Sequence, residues 1–200
     1  MLPKFITLSI AALAGPVSAA VLGPNLKVAP LQARDCNGET AALFCYTEVN
    51  GAPQKVNVTD VAFIAKYLRA YGRQIKPGRF FTMNAADTQG CGEWSAYSHR
   101  STLVTIKHIN DTVDSSVLFE DIATAIDGGE KATPEQQQQQ KNALLGCGTD
   151  GGAFGVQANL SNPAYSAESY VAAGYSMSGL LVKVVSSTQQ SAALARAERG

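Results

Sequence analysis

The chain has 200 residues, of which 46% are apolar and 16% charged, with 16 Lys plus Arg against 16 Asp plus Glu. These proportions exclude a disordered polymer, which needs low hydrophobicity and high charge, and they suit one folded domain. The charge balance leaves no basic excess for neutralising phosphates, so nucleic acid is not an expected partner.

Residues 1–19 follow the plan of a secretory signal peptide: the cation Lys4, an apolar run from Phe5 to Ala14, then the small residues Val17, Ser18 and Ala19 before the cleavage point. The run is far shorter than the ~20 residues that span hydrocarbon. Gly15-Pro16 interrupts it, so no stable membrane insertion is expected. Removing the leader removes one cation, Lys4, and leaves 15 against 16, a formal charge of −1. Residues 20–35 carry Pro24 and Pro30 and no sustained period, which predicts an extended arm or propeptide.

The folded domain is expected over 36–186, beginning at the first cysteine. All four cysteines, Cys36, Cys45, Cys91 and Cys147, lie beyond the leader, and an even number in an oxidising compartment predicts two disulfides. Their intervals of 9, 46 and 56 residues contain none of the close C-x-x-C pairs that structural zinc sites favour. Of the three possible connectivities, Cys36–Cys45 with Cys91–Cys147 is preferred, because Gly90-Cys91-Gly92 and Gly146-Cys147-Gly148 are similar flexible settings. Three sequons, at Asn57, Asn110 and Asn159, match the acceptor pattern for N-linked sugar and agree with export.

Along the domain, 41–49 reads as a strand closed by the turn residues Asn50-Gly51-Ala52-Pro53. Residues 58–72 predict a helix, with Thr59 as cap, Asp60 at the positive end of the dipole, Val61, Ile64, Leu68 and Tyr71 as its inner stripe, and Gly72 as its end. Short strands are expected at 79–84 and, from its β-branched run, at 101–109. A second helix is expected over 114–128, stopped by Gly128-Gly129. Thr133-Pro134 then opens an exposed, glutamine-rich helix over 133–145. Strands at 153–160 and 179–186 close the domain, and 187–200 form a polar tail. The order predicts an α+β fold: a largely antiparallel sheet with two or three helices on one face, in a split βαβ-like sandwich that brings the first and third strands together.

Candidate chemistry meets a simpler alternative at each place. Gly174-Tyr175-Ser176-Met177-Ser178-Gly179 is one residue too long for a nucleophile elbow, and neither Asp nor His follows Ser176. A hydrolase would have to assemble distant residues such as His99, Asp111 and Ser176. His99 and His108, an odd number apart, point to opposite faces if they share one strand, so they do not converge on a metal. Glu120 and Asp121 diverge by about 100° on a helix and read as solvated charges rather than a carboxylate pair. The glycine-rich stretch 146–152 lacks the Gly-Lys-Ser/Thr ending of a phosphate cradle and reads as a disulfide-bearing loop. No cofactor or metal is called for. Trp94 and Tyr97, beside Glu93 and His99, are the candidate binding residues, since such rings anchor protein partners or stack on sugar; the simpler reading has Trp94 closing the core next to Cys91. Tyr165, Tyr170 and Tyr175 could extend a carbohydrate-binding surface.

A helix ahead of the Gly-Cys-bearing strand region, a β-rich middle and a second helix ending at Gly128-Gly129 resemble in layout the fungal necrosis-inducing and killer-toxin-like secreted effectors. The resemblance spans 40–186 and carries over no functional residue. It implies action at a host or competitor cell surface by binding a protein or wall glycan, without turnover. The expected protein is therefore a secreted, extracellular, non-catalytic effector; a secreted hydrolase and a carbohydrate-binding wall protein are the alternatives.

Overall fold

A computed structural model describes residues 36–49, 51–133 and 142–188. The predicted leader, the arm, most of the glutamine-rich helix and the tail beyond 188 lie outside the described residues. Chain order is β1 (Phe44–Cys45), α1 (Val58–Gly72), β2 (Phe80–Met83), β3 (Trp94–His99), β4 (Thr102–His108), β5 (Ser115–Leu118), α2 (Phe119–Asp127), β6 (Gly152–Gly155), the short helix α3 (Glu168–Ala173) and β7 (Leu180–Ser186).

The main sheet has five strands in the order β1-β6-β7-β4-β3, every neighbouring pair antiparallel. The predicted α+β class is what the fold shows. Because strand side chains alternate, the two faces of the sheet divide by parity. Val104 and Ile106 of β4 and Leu180, Val182 and Val184 of β7 turn to one side, where they meet Ile64 and Leu68 of α1 and Ile122 and Ile126 of α2 in the main core. Thr105 and Lys107, paired opposite Lys183 and Leu181, turn to the other.

Helix α1 has its predicted bounds, but its cap differs: Asn57 Oδ1 accepts the backbone N–H groups of Thr59 and Asp60 at 2.8 and 3.4 Å, so the sequon asparagine itself closes the helix. Arg69 of α1 is buried and forks onto Asp127 at the end of α2, with N···O distances of 2.9 and 2.7 Å. The second helix starts later than expected. Residues 115–118 pair as a strand with Phe80–Met83, forming a separate two-stranded sheet, so the predicted strand at 79–84 is not part of the main one. β-Branched Val117 and the long-range partner outweigh helix formation at the start of the expected 114–128 segment. The first strand also pairs elsewhere than expected: β1 lies against β6, not against the strand at 102–108.

The disulfides are Cys36–Cys91 and Cys45–Cys147, with Cα–Cα distances of 5.5 and 5.3 Å. The preferred pairing was wrong for a tertiary reason. Strand register, not local flexibility, brings the Cα atoms into bridging range. Cys45 sits opposite Gly152, beside the turn that carries Cys147. Cys36 donates its N–H to Ile109 O, just past the end of β4 and close to the segment that enters β3. Residues 36–43 consequently cross the outer face of the sheet as a strap with a disulfide at each end. A Cβ on Gly155 would lie 2.6 Å from Ala41 Cβ, which shows how closely the strap follows the sheet.

Candidate functional site: an aromatic strip beside the edge strand

Strand β3 is an edge of the main sheet and was not foreseen as a strand. Its register with β4 runs Trp94 to Ile106, Ser95 to Thr105, then skips to Tyr97 opposite Val104 and His99 opposite Thr102. Ala96 is the extra residue of a β-bulge. Trp94 and Tyr97, three residues apart, would face opposite sides of a regular strand; the bulge puts Trp94, Tyr97 and His99 all on the helix-bearing side. A bulge also blunts an edge strand against pairing with another chain.

Helix α1 meets these rings with its own. Phe63, Tyr67 and Tyr71 recur every four residues and form a stripe on the flank of the core stripe. Phe63 stacks on His99 at 4.1 Å and Tyr67 on Tyr97 at 3.9 Å, while Tyr71 lies parallel to Tyr67 at 6.2 Å. The Arg79 guanidinium sits 4.0 Å from the Tyr71 ring centre and donates to its hydroxyl at 2.9 Å. Phe81 of β2 meets Trp94 edge-on at 6.5 Å. Phe63, Tyr67 and Trp94 remain 43%, 39% and 36% exposed. At a rise of ~1.5 Å per residue, the α1 side alone runs for about 12 Å.

The polar border is basic. Arg100, at the hairpin tip, is exposed, and its guanidinium is 3.5 Å from Asp60; His99 Nε2 is 3.8 Å from the same buried carboxylate. Lys66 is exposed between Phe63 and Tyr67 in the helix. Phe63, Tyr67, Tyr97 and His99 each already have one ring face covered by a neighbouring ring, and Tyr71 is covered by Arg79. The rings that stay exposed, Phe63, Tyr67 and Trp94, together with the charged border, give the mixed apolar and polar surface on which protein-binding hot spots are built.

The two sequence-predicted binding residues are thus brought together, although Trp94 does not close the core. Tyr165, Tyr170 and Tyr175 are not part of this surface. They gather around Phe80 and Leu118 in a second, smaller core, where Tyr165 and Tyr170 are buried. Tyr165 Oη donates to Asp121 at 2.6 Å and accepts the Leu118 N–H at 2.9 Å. Asp121 is consequently no solvated helix charge: burial pushes its carboxyl up, against the opposing hydrogen bonds from Tyr165 and Asn159.

The residues of the alternative hydrolase do not converge. His99 and Asp111 lie beyond opposite ends of the seven-residue strand β4, about 20 Å long at ~3.4 Å per residue. Asp111 Oδ2 accepts from Gly90 N, and Ser176 bridges to Ser115 in the second sheet region. His99 and His108 occupy two strands, not one, and stand apart because His99 pairs with Thr102, at the opposite end of β4 from His108. His108 is fully buried, with Nδ1 2.8 Å from Thr88 Oγ1, and burial lowers its pKa. Glu120 pairs with Arg73, which also forks onto Glu130 at 3.1 and 2.8 Å, so its carboxylate is held in an ion pair rather than facing Asp121 as a catalytic partner. All four cysteines are spent in disulfides. Among the described residues no helix is long and apolar enough to cross a membrane.

All three sequon asparagines use Oδ1 to accept the backbone N–H two residues on, from Thr59, Thr112 and Ser161. No protein family, curated protein or solved structure matches this chain.

Proposed function

We propose that this is a secreted effector that acts by binding a protein on a host or competitor cell surface, without turnover, through the strip formed by Phe63, Tyr67, Trp94 and Tyr97. The observation that carries this reading is the bulge at Ala96, which gathers the β3 rings against an exposed aromatic stripe of α1 and leaves large apolar side chains on one side of the molecule. Tyr, Trp and Arg are the side chains that dominate protein-binding hot spots, and the Lys66 and Arg100 border favours an acidic partner surface. Two disulfides and the signal-like leader support an extracellular setting.

The test is binding of the purified, labelled protein to intact target cells. Replacing Tyr67 and Trp94 together by alanine is expected to weaken binding at least tenfold, or about 1.4 kcal/mol, while Val171→Ala, on exposed α3, leaves it unchanged. Equal binding by the double variant and the unaltered protein would refute the assignment of the strip. Treating the cells with protease is expected to abolish binding; competition by soluble chitin or glucan fragments would instead identify a glycan partner.

A further inference from the structure

The outer face of the sheet holds a second feature, remote in kind from the aromatic strip. Beneath the 36–43 strap lies a cavity of about 280 Å³, lined by Asn37, Glu39, Thr40, Phe44, Tyr46 and Leu181 among others. We propose that this cavity binds a small, neutral aromatic molecule carrying one hydrogen-bond acceptor.

Three observations select that chemistry. First, the apolar wall is built but incompletely covered. Leu181 and Ala153 are buried, whereas Phe44 is 45% exposed and meets Tyr46 edge-on at 5.9 Å. A planar ring inserted there would bury the exposed part of Phe44 and add a third aromatic contact. The volume suits one or two fused rings, being close to the lower end of the ~300–1,000 Å³ of small-molecule sites.

Second, Tyr46 Oη is buried beside the Lys183 ammonium, which can only donate to it, so the hydroxyl's own proton has no acceptor. A buried donor without an acceptor is costly, so an acceptor supplied by a ligand would recover that loss. Burial pushes this phenol up to about 12, which keeps it a donor across the physiological range.

Third, the charges over the cavity are already spent on one another. Lys107 pairs with Glu39; Lys183 bridges Glu39 at 3.2 Å and Glu93 at 2.6 Å; Thr105 donates to Glu93 at 3.0 Å. Two cations and two anions alternate, leaving no net charge to match an ionic ligand. A charged molecule would have to be desolvated without compensation.

Acetophenone, a single ring with a carbonyl acceptor, is the probe, with benzoate as its charged counterpart, both titrated into the isotope-labelled full chain and followed by NMR. Saturable shifts are expected at the amides of Asn37, Thr40, Phe44 and Tyr46. Tyr46→Phe removes only a hydroxyl whose proton has no acceptor in the fold, and it is expected to weaken acetophenone binding about tenfold. Benzoate is expected to bind at least tenfold more weakly than acetophenone. The proposal is overturned if acetophenone gives no saturable shift at these amides up to its solubility, as a cavity filled only by water would produce. Undiminished binding by Tyr46→Phe, or equal binding of benzoate, overturns it as well.

Discussion

Replacing Glu39 by glutamine isolates the interaction that holds the strap to the sheet. Lys107 is 1% exposed, and Glu39 is its carboxylate partner. The substitution keeps the shape of the side chain but leaves a buried ammonium with no anion. Breaking a buried pair from one side costs about 3–5 kcal/mol, and because the amide oxygen still accepts a hydrogen bond, the lower end, about 3 kcal/mol, is expected. For a domain of this size that corresponds to a fall in Tm of about 6–12 °C. The pH dependence gives a second reading of the same interaction. Burial alone would raise the Glu39 carboxyl, but the Lys107 hydrogen bond and the Lys183 charge outweigh it and hold the group below its ordinary 4.5. A carboxyl depressed in the folded state stabilises fully above its unfolded pKa and loses that contribution as pH falls through the folded value. Stability of the unaltered protein should therefore decline through the acid range below 4.5 more steeply than that of the Glu39→Gln variant. Urea unfolding from pH 7 to pH 3 measures both effects, and hydrogen exchange over 36–43 reports whether the strap itself loosens. A loss under about 1 kcal/mol at pH 7, or parallel pH profiles for the two proteins, would refute the assignment of the strap to this pair.

Two further outcomes test the framework around the site. Peptide mapping without reduction should join Cys36 to Cys91 and Cys45 to Cys147; loops of 55 and 102 residues are worth roughly 4.2 and 4.7 kcal/mol in the chain-entropy account, so reduction should lower Tm sharply. Arg69→Met should cost about 3–5 kcal/mol in urea unfolding by stranding Asp127, and adding Asp127→Asn should recover much of it, because the amide oxygen still accepts from Gly129 N while no buried charge remains.

Elements whose signals are local were legible in advance. The 58–72 helix has its apolar stripe, acidic first turn and terminal glycine within one continuous segment, and its bounds match. The runs at 101–109 and 179–186 contain β4 and β7 because β-branched, apolar residues suit a buried sheet. The edge strand β3 was missed because Ser95, Ala96 and Ser98 weaken its alternation and the bulge breaks its period. The candidate site is half visible in the sequence: Trp94 and Tyr97 stand out as residue types, but Phe63 and Tyr67 fall outside the core-facing period of α1, and Tyr71 reads as part of that inner stripe. Phe63, Tyr67 and Tyr71, four residues apart, were the signal that could have exposed the second stripe.

The amino-acid order by itself determined the α+β class, the first helix and the expectation of two disulfides, since each rests on composition or on periods contained within a few turns of chain. Which cysteines join, which rings share a face and which charges neutralise one another were decided only by the tertiary structure. Each of those depends on strand register between segments tens of residues apart, and a single inserted residue such as Ala96 changes which side of a sheet its neighbours occupy.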